Sequence, residues 1–198
     1  DKGLLKCQAK SCYSFSVDEG FTESASLSSI IRTDDGEILL GEAKGKLYQL
    51  FSDTVIPFIS ETGSYASLAN IDGYVYDGTW GNGLKILKDK QVVAHLKGPK
   101  FLPNNSVHSA FKDSRGNIWI GTTDGLSKGK TYNTISPLLF DQIKGNVICF
   151  YELKNKNICV GTNSGVFIIN TQDKLIKHLG RIDGLEGREV RCFHEDEE

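Results

Sequence analysis

No stretch of the 198 residues approaches the ~20 consecutive apolar residues that a membrane-spanning helix needs. A charge excess is missing as well. Lys and Arg number 23 against 25 Asp and Glu, a formal net charge of −2. That balance supplies no general attraction for nucleic acid or anionic lipid, and both are disfavoured as partners. Helical periodicity is absent throughout. So are a GxSxG nucleophile motif, a glycine-rich phosphate loop, and paired Cys or His at zinc-ligand spacing. No metal and no cofactor are therefore expected. With 39% hydrophobic and 24% charged residues, the chain is nevertheless globular in composition.

What is present is a repeated turn–strand–turn unit. In DSRGNIWIGTTDGL, Asp113 to Gly116 is turn chemistry, because Gly supplies φ > 0 and Asp caps its own backbone. Asn117 to Ile120 is β-branched and aromatic, as a strand should be. Gly121 and Gly125 then bracket the next turn. The same pair recurs as Gly41 and Gly45, Gly78 and Gly83, and Gly161 and Gly165. Positions 41, 78, 121 and 161 are 37, 43 and 40 residues apart. A period near 40 with several strands per unit is that of a propeller blade.

The expected fold is therefore all-β, a β-propeller fragment of four-stranded antiparallel blades. Complete blades are expected at 27–59, 64–96, 107–136 and 147–179. Segments 1–16 and 182–198 read as the end of one blade and the start of another, so the chain is expected to be part of a longer propeller. No signal peptide is recognisable, and any targeting segment is expected outside this sequence. The second strands read ILLG, VYDG, IWIG and ICVG, where Gly at the strand end lets neighbouring backbones crowd together. In the first strands, Leu27, Ser64, Val107, Val147 and Val190 align as one column. Ile30, Ser67, Ala110, Phe150 and Phe193 align as another. Cys149, Cys159 and Cys192 fall in strand patterns as small hydrophobes. Cys7 and Cys12 flank QAKS and can face each other across a hairpin, with or without a disulfide.

The motif at Asp113, Gly116, Ile118, Trp119, Gly121, Thr122, Gly125 and Leu126 resembles the two-component regulator propeller repeat. Ile182 to Leu185 followed by Val190 looks like that family's blade-to-blade linker. The resemblance implies the periplasmic sensor region of a Bacteroidetes-type hybrid histidine kinase, facing the extracytoplasmic side of the inner membrane. A glycan-derived ligand is implied with it. The matched residues are structural positions, so no catalytic residue carries over and the fragment is not expected to be an enzyme.

Candidate site residues follow from departures from the repeat. Loops between second and third strands share a face with the blade linkers. On that face Trp80 replaces a polar loop residue beside the inserted Gly81 and Asn82, and an exposed indole beside amides suits stacking on a sugar ring. Tyr65, Asn105 and Arg188 belong to the same face, where Arg188 could grip a carboxylate. Asp77 stands where other blades have Leu40, Ile120 and Val160. A salt bridge or an edge position is its expected role, with a ligand or ion as the alternative. His95 and His178 share the contexts AHL and KHL, which reads as a repeat position.

These residues point to a ligand-sensing propeller for a polar small molecule such as an oligosaccharide. The remaining blades of the parent propeller are its expected partners, and a homodimer is an arrangement open to it. A propeller enzyme (a lyase or glycan-active protein) or a protein-interaction scaffold is the alternative. Far-ultraviolet circular dichroism should show less than about a fifth helix, since loops of such a fold supply no more.

Overall fold

The computed structural model describes residues 4–8, 11–15, 20–21, 26–59, 67–140, 142–143, 145–187 and 189–196. Strands β1 (Leu4–Gln8) and β2 (Ser11–Phe15) form an antiparallel hairpin in which Cys7 stands opposite Cys12 and is disulfide-bonded to it. The first four-stranded sheet follows, with β3 (Leu27–Arg32), β4 (Ile38–Glu42), β5 (Leu47–Phe51) and β6 (Thr54–Ile59). The second has β7 (Ser67–Ile71), β8 (Tyr74–Gly78), β9 (Leu84–Lys88) and β10 (Gln91–Leu96). The third has β11 (Val107–Lys112), β12 (Ile118–Thr122), β13 (Gly125–Gly129) and β14 (Ser136–Leu138). The fourth has β15 (Val147–Glu152), β16 (Ile158–Thr162), β17 (Gly165–Ile169) and β18 (Leu175–Leu179). In all four, sequential strands pair antiparallel as in a meander. Helix among the described residues is confined to single 3-10 turns at Tyr132–Thr134 and Arg181–Asp183. The expected start of the second unit at 64 lies outside the described residues, as do parts of the terminal segments.

The sheets pack face to face, as propeller blades do. Ile120 of the third sheet joins a buried cluster with Tyr76, Leu84 and Ile86 of the second. Trp119, on the other face of the same strand, joins one with Val147, Ile158 and Val160 of the fourth. Each second strand is thus buried on both sides, which is why IWIG and ICVG are continuous apolar runs rather than alternating ones. The first strands β3, β7, β11 and β15 stand side by side at the centre.

Gly78, Gly121 and Gly161, at the ends of β8, β12 and β16, sit where the following first-strand segment comes close. A Cβ on Gly121 would lie 2.6 Å from the Val147 carbonyl oxygen, and one on Gly161 3.0 Å from that of Val190. Small polar side chains fill the first-strand position beside each glycine and bridge the seam. Ser67 Oγ donates to the His108 carbonyl at 2.7 Å, Ser109 Oγ to Val147 at 3.3 Å, and Cys149 Sγ to Val190 at 3.5 Å.

This pairing corrects one expected column. Ser67 stands opposite Gly78, whereas Ile30, Ala110 and Phe150 stand opposite Leu40, Ile120 and Val160. Leu68, facing Asp77, is their true counterpart. The slip arises because only Asp72 and Gly73 separate the paired Ile71 and Tyr74, whereas five residues separate Arg32 from Ile38, Lys112 from Ile118 and Glu152 from Ile158.

The third blade is tied together by Asp113. One carboxylate oxygen accepts the backbone N–H of Asn117 at 2.7 Å and of Arg115 at 3.0 Å, closing the turn. The other accepts the Asn117 amide at 2.6 Å and the Trp119 indole N–H at 3.0 Å. Burial opposes the charge, but the hydrogen bonds from Asn117 and Trp119 outweigh it and hold the Asp113 carboxyl below the usual range. The indole is fully buried, with the Lys128 ammonium 4.8 Å from its ring.

Trp119→Ala should therefore cost about 3–5 kcal/mol, and Trp80→Ala, at a half-exposed loop position, well under half of that. Denaturant midpoints measure both. Equal shifts would make Trp80 a core residue.

Candidate functional site

A cavity of about 540 Å³ opens on the face that carries the blade linkers and the loops between second and third strands. First-strand residues from successive blades form its wall, with Ser28, Ser67, His108 and Ile148 in turn, and Arg191 from the segment after the fourth sheet further round. Trp80 stands over it from the β8–β9 loop, 53% exposed, edge-on to the His108 imidazole with ring centroids 5.3 Å apart. His108 Nε2 meets the Thr123 hydroxyl at 2.9 Å, and burial pushes its pKa down, so the ring is neutral at pH 7. Asn146 contributes an amide. Glu189 and Arg191 contribute an ion pair at 3.0 Å with both members well exposed. The cavity thus offers an aromatic face, hydroxyls, an amide, a neutral imidazole and one paired set of charges.

Of the five residues singled out from sequence, Trp80 lines this cavity. Asn82 and Asn105 hold the surrounding loops instead. The Asn82 carbonyl contacts His95 Nε2 at 2.5 Å. Asn105 accepts the Gly98 N–H on its side chain at 2.8 Å and the Gly83 N–H on its carbonyl at 2.8 Å. Tyr65 and Arg188 lie outside the described residues. His178 meets the Ser164 carbonyl at 3.2 Å, as His95 meets that of Asn82. Both fourth-strand histidines therefore bind the second-to-third loop of their own blade, the role a repeat position implies. Sequence reasoning missed His108, Asn146 and Arg191. For His108 and Asn146 the signal was positional: each lies within one residue of the start of a first strand.

Asp77 overturns the expectation of a salt bridge or an edge. It is completely buried, and neither carboxylate oxygen accepts a hydrogen bond. Its strand position puts it on the side that Val75 shares with Leu39 and Leu47, in the seam between the first and second blades. Desolvation raises its pKa to about 7, with Lys85, its register partner on β9, pulling weakly the other way.

Four stacked antiparallel sheets with first strands at the centre define a β-propeller array. Residues 102–124, which run into the third blade, match the model of the two component regulator propeller family. Among curated proteins, no relative matches the sequence. Solved structures share the fold. The extracellular domain assigned to a hybrid two component system of B. thetaiotaomicron matches at TM-score 0.68 and 20% identity, over 86% of this chain and 24% of that one. The extracellular domain assigned to a one component system of the same organism matches at TM-score 0.64 and 17% identity, over 78% and 22%. Virginiamycin B lyase from Staphylococcus aureus matches at TM-score 0.67 and 8% identity, over 84% and 58%. The chain thus spans under a quarter of the length of either B. thetaiotaomicron domain.

The Asp77 carboxyl is more easily protonated in the folded chain than in the unfolded one. Its contribution to stability is therefore fully present below the unfolded pKa near 4 and lost as pH rises through about 7. A rise of about three pKa units corresponds to about 4 kcal/mol. Asp77→Leu, which restores the residue found at position 40, should stabilise most at pH 8 and least at pH 4. Denaturant midpoints of both proteins across that range measure it. A constant difference would mean that the Asp77 carboxyl titrates alike in the folded and unfolded chains.

Proposed function

We propose that this chain is part of an extracytoplasmic ligand-sensing propeller of a two-component receptor, and that it takes a polar small molecule such as a glycan-derived oligosaccharide. The observation that carries the reading is the Trp80 indole, half exposed over a cavity walled by hydroxyl, amide and charged side chains. Sugars present apolar ring faces and hydroxyls together, so an aromatic platform ringed by donors and acceptors suits them. Binding would bias one arrangement of the receptor over another and shift its output. The Cys7–Cys12 disulfide fits an oxidising, extracytoplasmic setting, and the B. thetaiotaomicron proteins that share the fold are extracellular domains.

A second reading, a propeller enzyme, draws on His108, since a half-buried neutral imidazole in a cavity has the make-up of a general base. Its ring bonds the Thr123 hydroxyl, and no carboxylate among the described residues bonds to it. A base of that kind usually has an orienting carboxylate, which makes sensing the better reading.

Calorimetric titration of the intact receptor with a panel of oligosaccharides is the test. A ligand that binds should lose about tenfold or more in affinity, at least 1.4 kcal/mol, on Trp80→Ala, and a smaller factor on Arg191→Ala. Unchanged affinity in both variants would remove the cavity from ligand binding. Conversion of a bound sugar that ceases on His108→Ala would favour the enzyme.

A further inference from the structure

Each blade ends on an outer strand, and β6, β10, β14 and β18 each stand at one margin of their sheet. Such a margin carries unpaired backbone N–H and C=O groups and invites a further strand unless something blunts it. The register puts four residues in one equivalent position along these margins. Pro57 stands opposite Tyr48, His95 opposite Lys85, Pro137 opposite Ser127 and His178 opposite Phe167. Each of those four partners directly follows the residue paired with its blade's second-strand glycine.

Proline has no N–H, so the position it takes in β6 and β14 is one whose N–H would face away from the sheet. The first and third blades are closed there, and β14 is only three residues long. In the second and fourth blades the same position keeps its outward donor, and the histidine ring turns back to a carbonyl of its own blade. These two open margins differ. On β18, Lys177 puts a charge on the strand itself. From Gln91 to Leu96, β10 holds no Lys, Arg, Asp or Glu, and Val92 and Val93 are each 46% exposed. Among the described residues, no loop bonds to the backbone of β10.

Positive charge gathers at the ends of this strand. Residues 85–100 hold five lysines and one aspartate, in a chain whose formal net charge is −2. Lys90 and Lys97 bracket β10, and both are exposed. Lys90 donates to the neutral Gln49 side-chain carbonyl, and neither lysine joins an ion pair among the described residues. A second copy of β10 laid antiparallel on the first would set Lys90 against Lys97 at both ends, so like charges oppose self-pairing. We propose that β10 is a docking edge for an extended segment of a partner protein, apolar at its centre and acidic at both ends. The segment adds a fifth strand to the second blade. One of its carbonyls accepts the His95 N–H, its apolar side chains lie beside Val92 and Val93, and its carboxylates meet Lys90 and Lys97. Main-chain bonds hold the segment, and the lysines select its charge.

The experiment is fluorescence anisotropy of a labelled peptide, EEVTVTVEE, titrated with the protein up to ~1 mM, the weak end of the affinity range. Two control peptides follow: the charge-reversed KKVTVTVKK, and EEVTVTVEE with alternate backbone nitrogens methylated, which cannot pair as a strand. Saturable binding of EEVTVTVEE is expected, with both controls at least tenfold weaker. Lys97→Glu should weaken EEVTVTVEE about fivefold or more and strengthen KKVTVTVKK. His95→Pro, which copies the residue at positions 57 and 137, should weaken EEVTVTVEE at least tenfold. Should His95→Pro fail to fold, the methylated peptide decides the matter on the unaltered protein. Absence of saturable binding, or controls that bind as well as EEVTVTVEE, would overturn the proposal. So would a loss on His178→Pro instead, which moves the site to β18. Self-association that sedimentation velocity detects and His95→Pro abolishes would give the edge to a second copy and overturn it too.

Discussion

Everything in this fold depends on how closely one blade's backbone can approach the next. At the ends of the second strands β8, β12 and β16 there is no room for a Cβ: at Gly78 it would lie 2.8 Å from Val107 Cγ1, and at Gly121 2.5 Å from Ser109 Oγ. Contact under 3 Å would force the blades apart and open the apolar seam behind it. The seam is where the burial energy lies, because Trp119, Ile120 and Val160 all sit within it. The serine and cysteine donors beside the glycines depend on the same spacing, since Ser67, Ser109 and Cys149 must each reach across to the next first strand. One small residue per blade thus sets blade spacing, seam packing and the inter-blade hydrogen bonds together.

Bringing the first strands side by side also creates the site. Each contributes one or two side chains to a shared wall, so residues some 40 positions apart, such as Ser28, Ser67 and His108, meet around one cavity. The repeat fixes where those side chains stand and leaves their identity unconstrained. Trp80 could arise at a loop tip because the loop's own hydrogen bonds are made elsewhere, by the Thr79 hydroxyl to Gly83 and by the Asn82 carbonyl to His95.

The blade architecture was legible in the sequence because it rests on residues with one physical use: glycines where backbones touch, and Asp with Gly in tight turns. Trp119 and Asp113 were recognisable for the same reason. The first-strand column through Ser67 was misread because the two-residue β7–β8 turn, against five residues in the other blades, moves the pairing by one relative to the glycine column. Trp80 was legible as a departure from the repeat, whereas His108 looks ordinary on its own strand. Of the two amides read as site candidates, the Asn105 side chain accepts the Gly98 N–H, while Asn82 seats His95 with its backbone carbonyl. Asp77 was noticed as an anomaly, but its complete burial without a hydrogen-bond partner could not be foreseen from one strand alone.

Blades joined only to their neighbours behave as links in series, and a series parts at its weakest link. Most seams here are sealed by hydrocarbon, while the one between the first and second blades encloses Asp77. Its strength is therefore set by the surroundings and not by the sequence alone. In mildly acidic fluid the carboxyl is protonated and the joint carries no charge, and as the pH rises through about 7 ionisation of Asp77 weakens it. Because each seam answers only to its two flanking blades, evolution can tune that joint without loosening any other.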